Sequence, residues 1–155
     1  MLTSAATKWF DCLHGDEMLW DGIRETNRHE FPGVTFRWNS GKLDAITDKE
    51  TVTLYTGMPI WSVYFYDLNG DGKPELCSTL SIGSGIIENC FIIYDYALGA
   101  SYVMSDRMEY DYTLNMKNGK LMVEKREYMQ EDLLASGELV FQDETYQIIW
   151  NFGNE

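Results

Sequence analysis

Residues 67–75, with the sequence DLNGDGKPE, combine the residue types and the spacing that a chain needs to wrap a hard cation. Three oxygen-bearing side chains stand at alternating positions, and a fourth follows at the end of the segment. Calcium takes roughly six to eight oxygen ligands, which a short loop supplies only if it curls around the ion. We therefore predict a Ca²⁺ site whose ligands are the side chains of Asp67, Asn69, Asp71 and Glu75 and the backbone carbonyl of Lys73.

A plain turn is the alternative explanation of this segment, because turns also favour Asp, Asn and Gly. Gly70 and Gly72 suit either reading, since glycine reaches positive φ without steric cost. Calcium is favoured because the alternating oxygen groups and the trailing acid exceed what a turn needs. An EF-hand is excluded, since its twelfth position would be Ser78 instead of a bidentate Glu. Mg²⁺ fits less well because it retains more water ligands. No base or nucleophile accompanies the loop, so we expect a structural ion.

The flanks of this loop, and most of the chain after residue 32, are typical of β-strands. Short runs rich in β-branched and aromatic residues alternate with turn signals, which indicates a mainly antiparallel β domain. The Asn118–Gly119 pair is the strongest hairpin signal. The predicted strands cover residues 34–38, 43–46, 51–55, 60–66, 76–82, 90–96, 101–104, 109–116, 121–125, 137–141 and 146–150.

The N-terminal segment is predicted to be helical. Residues 3–13 offer a cap at Thr3 or Ser4 and apolar residues near helical spacing. Residues 18–31 suggest a short second helix or an irregular segment, and residues 129–135 suggest one helical turn or more. The predicted fold is therefore mainly β, an antiparallel meander or sandwich-like sheet with one or two short N-terminal helices. We expect a single domain, 1–155, in which the helical segment 1–31 packs on a β domain, 32–152.

The charge balance narrows the classes of partner. A formal net charge of −13 argues against binding nucleic acid through bulk electrostatics. No apolar run approaches the roughly 18 residues of a membrane span, so we expect no membrane insertion of this segment. The first eight residues lack a basic region and a long apolar core, so we expect no signal peptide there.

Cys12, Cys77 and Cys90 are too few and too scattered for a disulfide framework. Cys77 and Cys90 fall on neighbouring predicted strands, so a bridge between them stays open. Buried free cysteine is the commoner case.

The remaining candidates for ligand binding are Ser84, in the Gly-rich connection 83–85, and the aromatic residues Trp61 and Tyr94. Aromatic rings could stack on sugars, but in a β protein they more often pack in the core. The two histidines lack the His-Glu-x-x-His spacing of zinc proteases. We expect surface pairs of His14 with Glu17 and of His29 with Glu30. No spacing singles out a catalytic carboxylate pair for a hydrolase.

Two resemblances follow from these motifs. Residues 67–75 resemble the Asp-x-Asn-x-Asp-Gly calcium loop of FG-GAP and VCBS-type β proteins, with Glu75 where Asp is commoner. The strings at 32–38, 57–61, 67–77, 83–87 and 94–96 resemble a C-terminal region attached to some BlaR/MecR-type membrane metallopeptidases of clostridia-like bacteria. That resemblance implies an extracytoplasmic module. The zinc and penicillin-binding motifs of those proteins are absent from this chain, so neither activity is carried over.

The leading hypothesis is a non-enzymatic, calcium-binding extracytoplasmic domain, a sensing or interaction module of a membrane signalling protein, whose partner is an unknown ligand or protein. The alternative is a carbohydrate- or peptidoglycan-binding β module that uses surface aromatics.

Overall fold

A computed structural model describes residues 5–151, and in this range it contains thirteen β-strands and no helix. The strands are β1 (Thr7–Asp11), β2 (Arg24–Asn27), β3 (Thr35–Trp38), β4 (Lys42–Ile46), β5 (Thr51–Thr56), β6 (Ser62–Tyr66), β7 (Glu75–Ile82), β8 (Glu88–Asp95), β9 (Ala100–Met104), β10 (Tyr110–Lys117), β11 (Lys120–Glu127), β12 (Ala135–Gln142) and β13 (Thr145–Asn151).

The strands form three antiparallel sheets. A five-stranded central sheet has the order β1-β6-β7-β8-β9. One four-stranded sheet contains β2 to β5 and another contains β10 to β13, each as a simple meander. The predicted mainly β, sandwich-like fold is therefore confirmed.

Two separate hydrophobic clusters show that both faces of the central sheet are covered. Val63 and Phe65 of β6 pack in one cluster with residues of β3, β4 and β5, whereas Tyr64 and Tyr66 pack in the other with residues of β10, β11 and β12. Successive side chains of a strand point to opposite faces. The central strands β6, β7 and β8 are consequently buried along almost their whole length, including polar residues such as Ser62, Ser78 and Thr79.

The predicted strands from residue 34 onwards are confirmed, with boundaries that differ by one or two residues. The Asn118–Gly119 turn joins β10 to β11 with both residues at positive φ. These signals are local, because they depend on alternation and turn chemistry, and the tertiary structure did not override them.

The helix predicted for residues 3–13 is wrong where the chain is described: residues 7–11 form β1, paired with β6. The register shifts between Lys8 and Phe10. This bulge lets the consecutive residues Trp9 and Phe10 contact the same hydrophobic cluster. Two adjacent apolar residues on one side break strand alternation, which made the segment resemble a helix. The predicted caps, Thr3 and Ser4, lie outside the described residues.

The helix alternative for residues 18–31 and the helical turn predicted for residues 129–135 are also wrong. Segment 18–31 contributes β2 with turns on either side, and residues 129–135 form a connection into β12. Met129 has a φ of 62°, which a helix does not allow. The N-terminal part of the chain is therefore not a helical layer on the β domain; it supplies strands to two of the sheets.

The three cysteines are free. Cys77 and Cys90 lie on paired strands, but their side chains belong to opposite faces of the central sheet. Cys77 pairs in register with Ile93, and Cys90 with Leu80. This separation excludes the bridge that the sequence left open.

We expect thiol titration of the denatured, unreduced protein to count all three cysteines, and a reductant to leave the Tm of the native protein unchanged. A single reactive thiol, or a Tm lowered by the reductant, would contradict the opposite-face placement of Cys77 and Cys90. Cys90→Ser is the control, because it should reduce the thiol count by one only.

Candidate metal centre

The predicted calcium loop joins β6 to β7 and folds around its own acidic side chains. Gly70 and Gly72 have φ values of 75° and 87°, a conformation that L side chains rarely adopt. The Gly72 N–H donates to Asp67 Oδ2 (2.9 Å), and the Lys73 N–H donates to Asp71 Oδ1 (2.9 Å). The glycines thus allow the curvature that turns the carboxylates inward.

Three of the predicted ligands converge. One oxygen each from Asp67, Asp71 and Glu75 lie within 4.8 Å of one another. Two oxygens bound to the same calcium at about 2.4 Å can be at most about 4.8 Å apart, so this spacing fits one shared ion. Asn69 belongs to the same arrangement, since its Oδ1 accepts a hydrogen bond from the Asp71 N–H at 3.3 Å.

Glu75 is the unusual member of the group because its side chain is fully buried. Its Oε2 accepts hydrogen bonds from the Tyr146 hydroxyl (2.9 Å) and the Asn69 N–H (3.2 Å). Its Oε1 is buried and has no hydrogen-bond partner among residues 5–151. Leaving a buried carboxylate oxygen without a partner is costly, so the donor set fits a cation that would bind this atom.

The pKa of Glu75 is raised, as expected for a carboxyl group that is buried beside other acids. Burial raises the pKa of Glu75 to about 7, and the negative charges of Asp95 and Asp67 also raise it. The hydrogen bonds from Tyr146 and Asn69 act in the opposite direction but do not cancel the burial. A bound dication would favour the ionised carboxylate and so offset the repulsion among these acids.

Two residues near the loop were not among the predicted site residues. Asp95, at the end of β8, is 4% exposed, and its Oδ2 accepts a hydrogen bond from Asn69 Nδ2 at 3.1 Å. Tyr146 reaches the site from β13, in a flanking sheet. The sequence could have pointed to Asp95, because this acid stands between two aromatic residues at the end of a strand. Nothing near Tyr146 in the sequence indicates that it contacts the site.

The backbone and the side chain of Lys73 make their contacts in different places. Its N–H donates to Asp71 Oδ1 within the loop. Its side chain points away from the acidic residues, towards the segment before β3. The Nζ atom lies 3.5 Å from the Glu30 carbonyl oxygen and 5.7 Å from the centroid of the Phe31 ring. Ligation by the Lys73 carbonyl stays a prediction.

The three predicted ligand-binding residues do not form one site. Ser84 is exposed in the connection between β7 and β8, and Tyr94 lies at the far end of the eight-residue β8, a distance of about 20 Å along the strand. Trp61 is half-buried; its Nε1 donates to Ser81 Oγ at 2.7 Å, and its ring meets Trp20 edge-on. Only Tyr94 lies at the same end of the central sheet as the calcium loop.

His14 contacts Asp11, not its predicted partner Glu17. Its Nδ1 lies 2.8 Å from Asp11 Oδ2, and the Tyr64 hydroxyl donates to the same buried carboxylate. The Asp11 carboxylate also accepts from the Leu13 N–H at 2.9 Å. These bonds fix the turn after β1. His29 does pair with Glu30, with 3.6 Å between Nε2 and Oε2.

Asp71→Asn should weaken calcium binding by at least about tenfold, because it removes one of three charged ligands. Isothermal calorimetry with CaCl₂ measures this. Asp48→Asn is the matched control, since Asp48 is an exposed acid in the turn between β4 and β5 and lies outside the loop. Equal calcium affinities of the two variants would contradict the site.

In calcium-free protein, Glu75 should lower stability as pH rises from about 4.5 to about 7. Across that interval the folded carboxyl keeps a proton that the unfolded one has lost, so deprotonation favours unfolding. The loss is on the order of 3 kcal/mol above pH 7. Denaturant unfolding in chelator at pH 5 and pH 8 measures it.

Glu75→Gln should abolish that part of the pH dependence, whereas the exposed-site control Glu131→Gln should retain it. Identical slopes of stability against pH for wild type and Glu75→Gln would show that Glu75 is ionised normally in the folded state.

No family model, no curated protein and no solved structure matches the chain.

Proposed function

We propose that this chain is a calcium-stabilised, non-enzymatic β module that serves sensing or interaction. The observation that carries the proposal is the buried Oε1 of Glu75, which has no partner in the described part of the chain and lies beside the carboxylates of Asp67 and Asp71. The loop glycines and the spacing of the acids support calcium as the ion, because both suit an irregular shell of oxygen ligands.

The ion would act as a cross-link between layers. Glu75 begins β7 in the central sheet and accepts a hydrogen bond from Tyr146 of a flanking sheet. Asn69, in the loop, donates to Asp95 at the end of β8. Calcium bound to the loop would hold the ionised Glu75 in place for Tyr146, and would thereby stabilise the contact between two sheets.

An extracytoplasmic location is part of the proposal. Extracellular calcium modules bind with Kd values of roughly 10⁻⁴–10⁻³ M, which suits an exposed loop of this kind. The resemblance to the region attached to BlaR/MecR-type proteins gives the same location, as part of a membrane signalling protein. In residues 5–151 there is no helix of the length and apolar character that crossing a membrane requires.

The partner would be a ligand or a protein and not a nucleic acid. The formal net charge of −13 repels polyanions, and the acids outnumber the bases by 25 to 12.

The proposal is tested by the Tm in calcium and in chelator. Binding to the folded state alone adds about 2.7 kcal/mol when free calcium is a hundredfold above the Kd. For a chain of this size, that free energy corresponds to a Tm increase of about 5–10 °C. MgCl₂ at the same concentration should give a smaller increase, and Asp71→Asn should remove the calcium effect. An unchanged Tm, with no heat of binding on titration, would overturn the proposal.

A further inference from the structure

We infer that a groove beside the calcium loop binds a short neutral saccharide, and that calcium strengthens this binding through Lys73. The groove has a volume of about 540 Å³, within the roughly 300–1,000 Å³ of small-molecule sites. It lies between β5, the segment 30–34 before β3, and the end of β8. The calcium dependence rests on the proposed function; the saccharide site does not.

The aromatic lining of the groove is held in place by packing. The ring centroid of Tyr94 lies 5.9 Å from that of Tyr55, and the Tyr96 ring meets Phe31 (5.3 Å) and Phe36 (5.4 Å) edge-on. Tyr94 and Tyr96 are half-buried, so part of each side chain faces the groove. Rings fixed before binding lose little entropy when a ligand stacks on them, and the C–H faces of a sugar ring suit such stacking.

The polar groups of the groove suit hydroxyls. Neither the Tyr94 nor the Tyr96 hydroxyl has a hydrogen-bond partner within residues 5–151. Glu50 is exposed at the rim, and its carboxylate makes no ion pair with any described residue. A phenol donates and accepts, and a carboxylate accepts. Sugar hydroxyls both donate and accept, so they can satisfy all three groups.

The charges at the rim favour a neutral ligand. Glu30 is occupied by Arg28, whose Nε and Nη2 each lie 3.1 Å from one of its carboxylate oxygens. Glu50 and Lys73 remain, one of each sign. The Lys73 ammonium disfavours a cation in the aromatic groove, and the acidic protein disfavours an anionic polymer. A neutral polyol is repelled neither by the Lys73 ammonium nor by the negative charge of the protein.

Lys73 connects the groove to the calcium loop. Its N–H binds Asp71, one of the predicted calcium ligands, while its ammonium lies beside Phe31 and the Glu30 carbonyl at the groove. Calcium would restrict the loop backbone on both sides of Asp71 and therefore the position of Lys73. A groove wall ordered in advance binds its ligand more tightly.

The test is isothermal calorimetry of the whole chain against chitotetraose, cellotetraose, xylotetraose and maltotetraose, in calcium and in chelator. We expect at least one saccharide to bind, and to bind several-fold more tightly with calcium. Tyr94→Ala should weaken binding about three- to tenfold, the usual worth of one aromatic contact. Tyr94→Phe keeps the packing and tests the hydroxyl alone. Trp20→Ala, which removes an aromatic side chain that is 60% exposed outside the groove, should change nothing.

The outcomes separate the two proposals. Saccharide binding that Tyr94→Ala and Tyr94→Phe leave unchanged, or that Trp20→Ala abolishes, would overturn the groove assignment. So would binding of tetramethylammonium or an oligolysine peptide with no saccharide binding. Saccharide binding equal in calcium and chelator, with calcium binding intact, would overturn the Lys73 link alone. A protein that binds a saccharide at Tyr94 but no calcium would overturn the proposed function and keep the groove.

Discussion

The burial of both faces of the central sheet is the constraint on which the rest of the structure depends. β6 and β7 are buried on both faces along almost their whole length, so each buried polar residue in them must find a partner inside the protein. Ser78 and Thr79 find their hydrogen-bond partners on opposite faces of the central sheet. Ser78 Oγ lies 2.6 Å from the Tyr55 hydroxyl of one flanking sheet, and Thr79 Oγ1 accepts the Leu114 N–H of the other at 3.0 Å. Neighbouring residues of one strand thus fix both outer layers.

Glu75 is the residue for which burial is most costly, because its carboxylate lies in the buried part of β7. One oxygen satisfies the requirement through Tyr146 and the Asn69 N–H, and the other does not. A protein can retain such a group when a cation completes its coordination, and the adjacent loop supplies further oxygens for that cation. We propose that the acidic loop holds such a cation, which would make the buried charge of Glu75 tolerable at neutral pH.

The same end of the sheet also carries the groove. β8 ends at Asp95, which contacts the loop through Asn69, and the flanking residues Tyr94 and Tyr96 line the groove. Lys73 extends from the loop to that groove. The predicted calcium loop and the candidate ligand groove are therefore connected through Lys73 and through Asp95, which stands between the two groove tyrosines in the sequence. A change in the order of the loop can reach the groove through these contacts. The aromatic residues at the opposite end, Trp20 and Trp61, take no part in this arrangement.

The sequence by itself determined the strands and the loop. Alternation and turn chemistry are local, and so the predicted strands from residue 34 onwards and the convergence of Asp67, Asp71 and Glu75 were accessible from residue types and spacing. The helix prediction at residues 3–13 failed because the pairing of β1 with β6 and its bulge depend on a strand some fifty positions away.

Only the tertiary structure decided which faces are buried and which residues meet. The sequence alone left Cys77 and Cys90 as a possible bridge, whereas the stacking of three sheets sends their side chains into different layers. The sequence indicated an acid at position 75 but not that this acid is buried. Its partner Tyr146 belongs to β13 and lies 71 positions away in the chain. Local patterns specify the conformation of a segment, but the partners of a side chain are set by how the layers stack, and that stacking is a property of the whole chain.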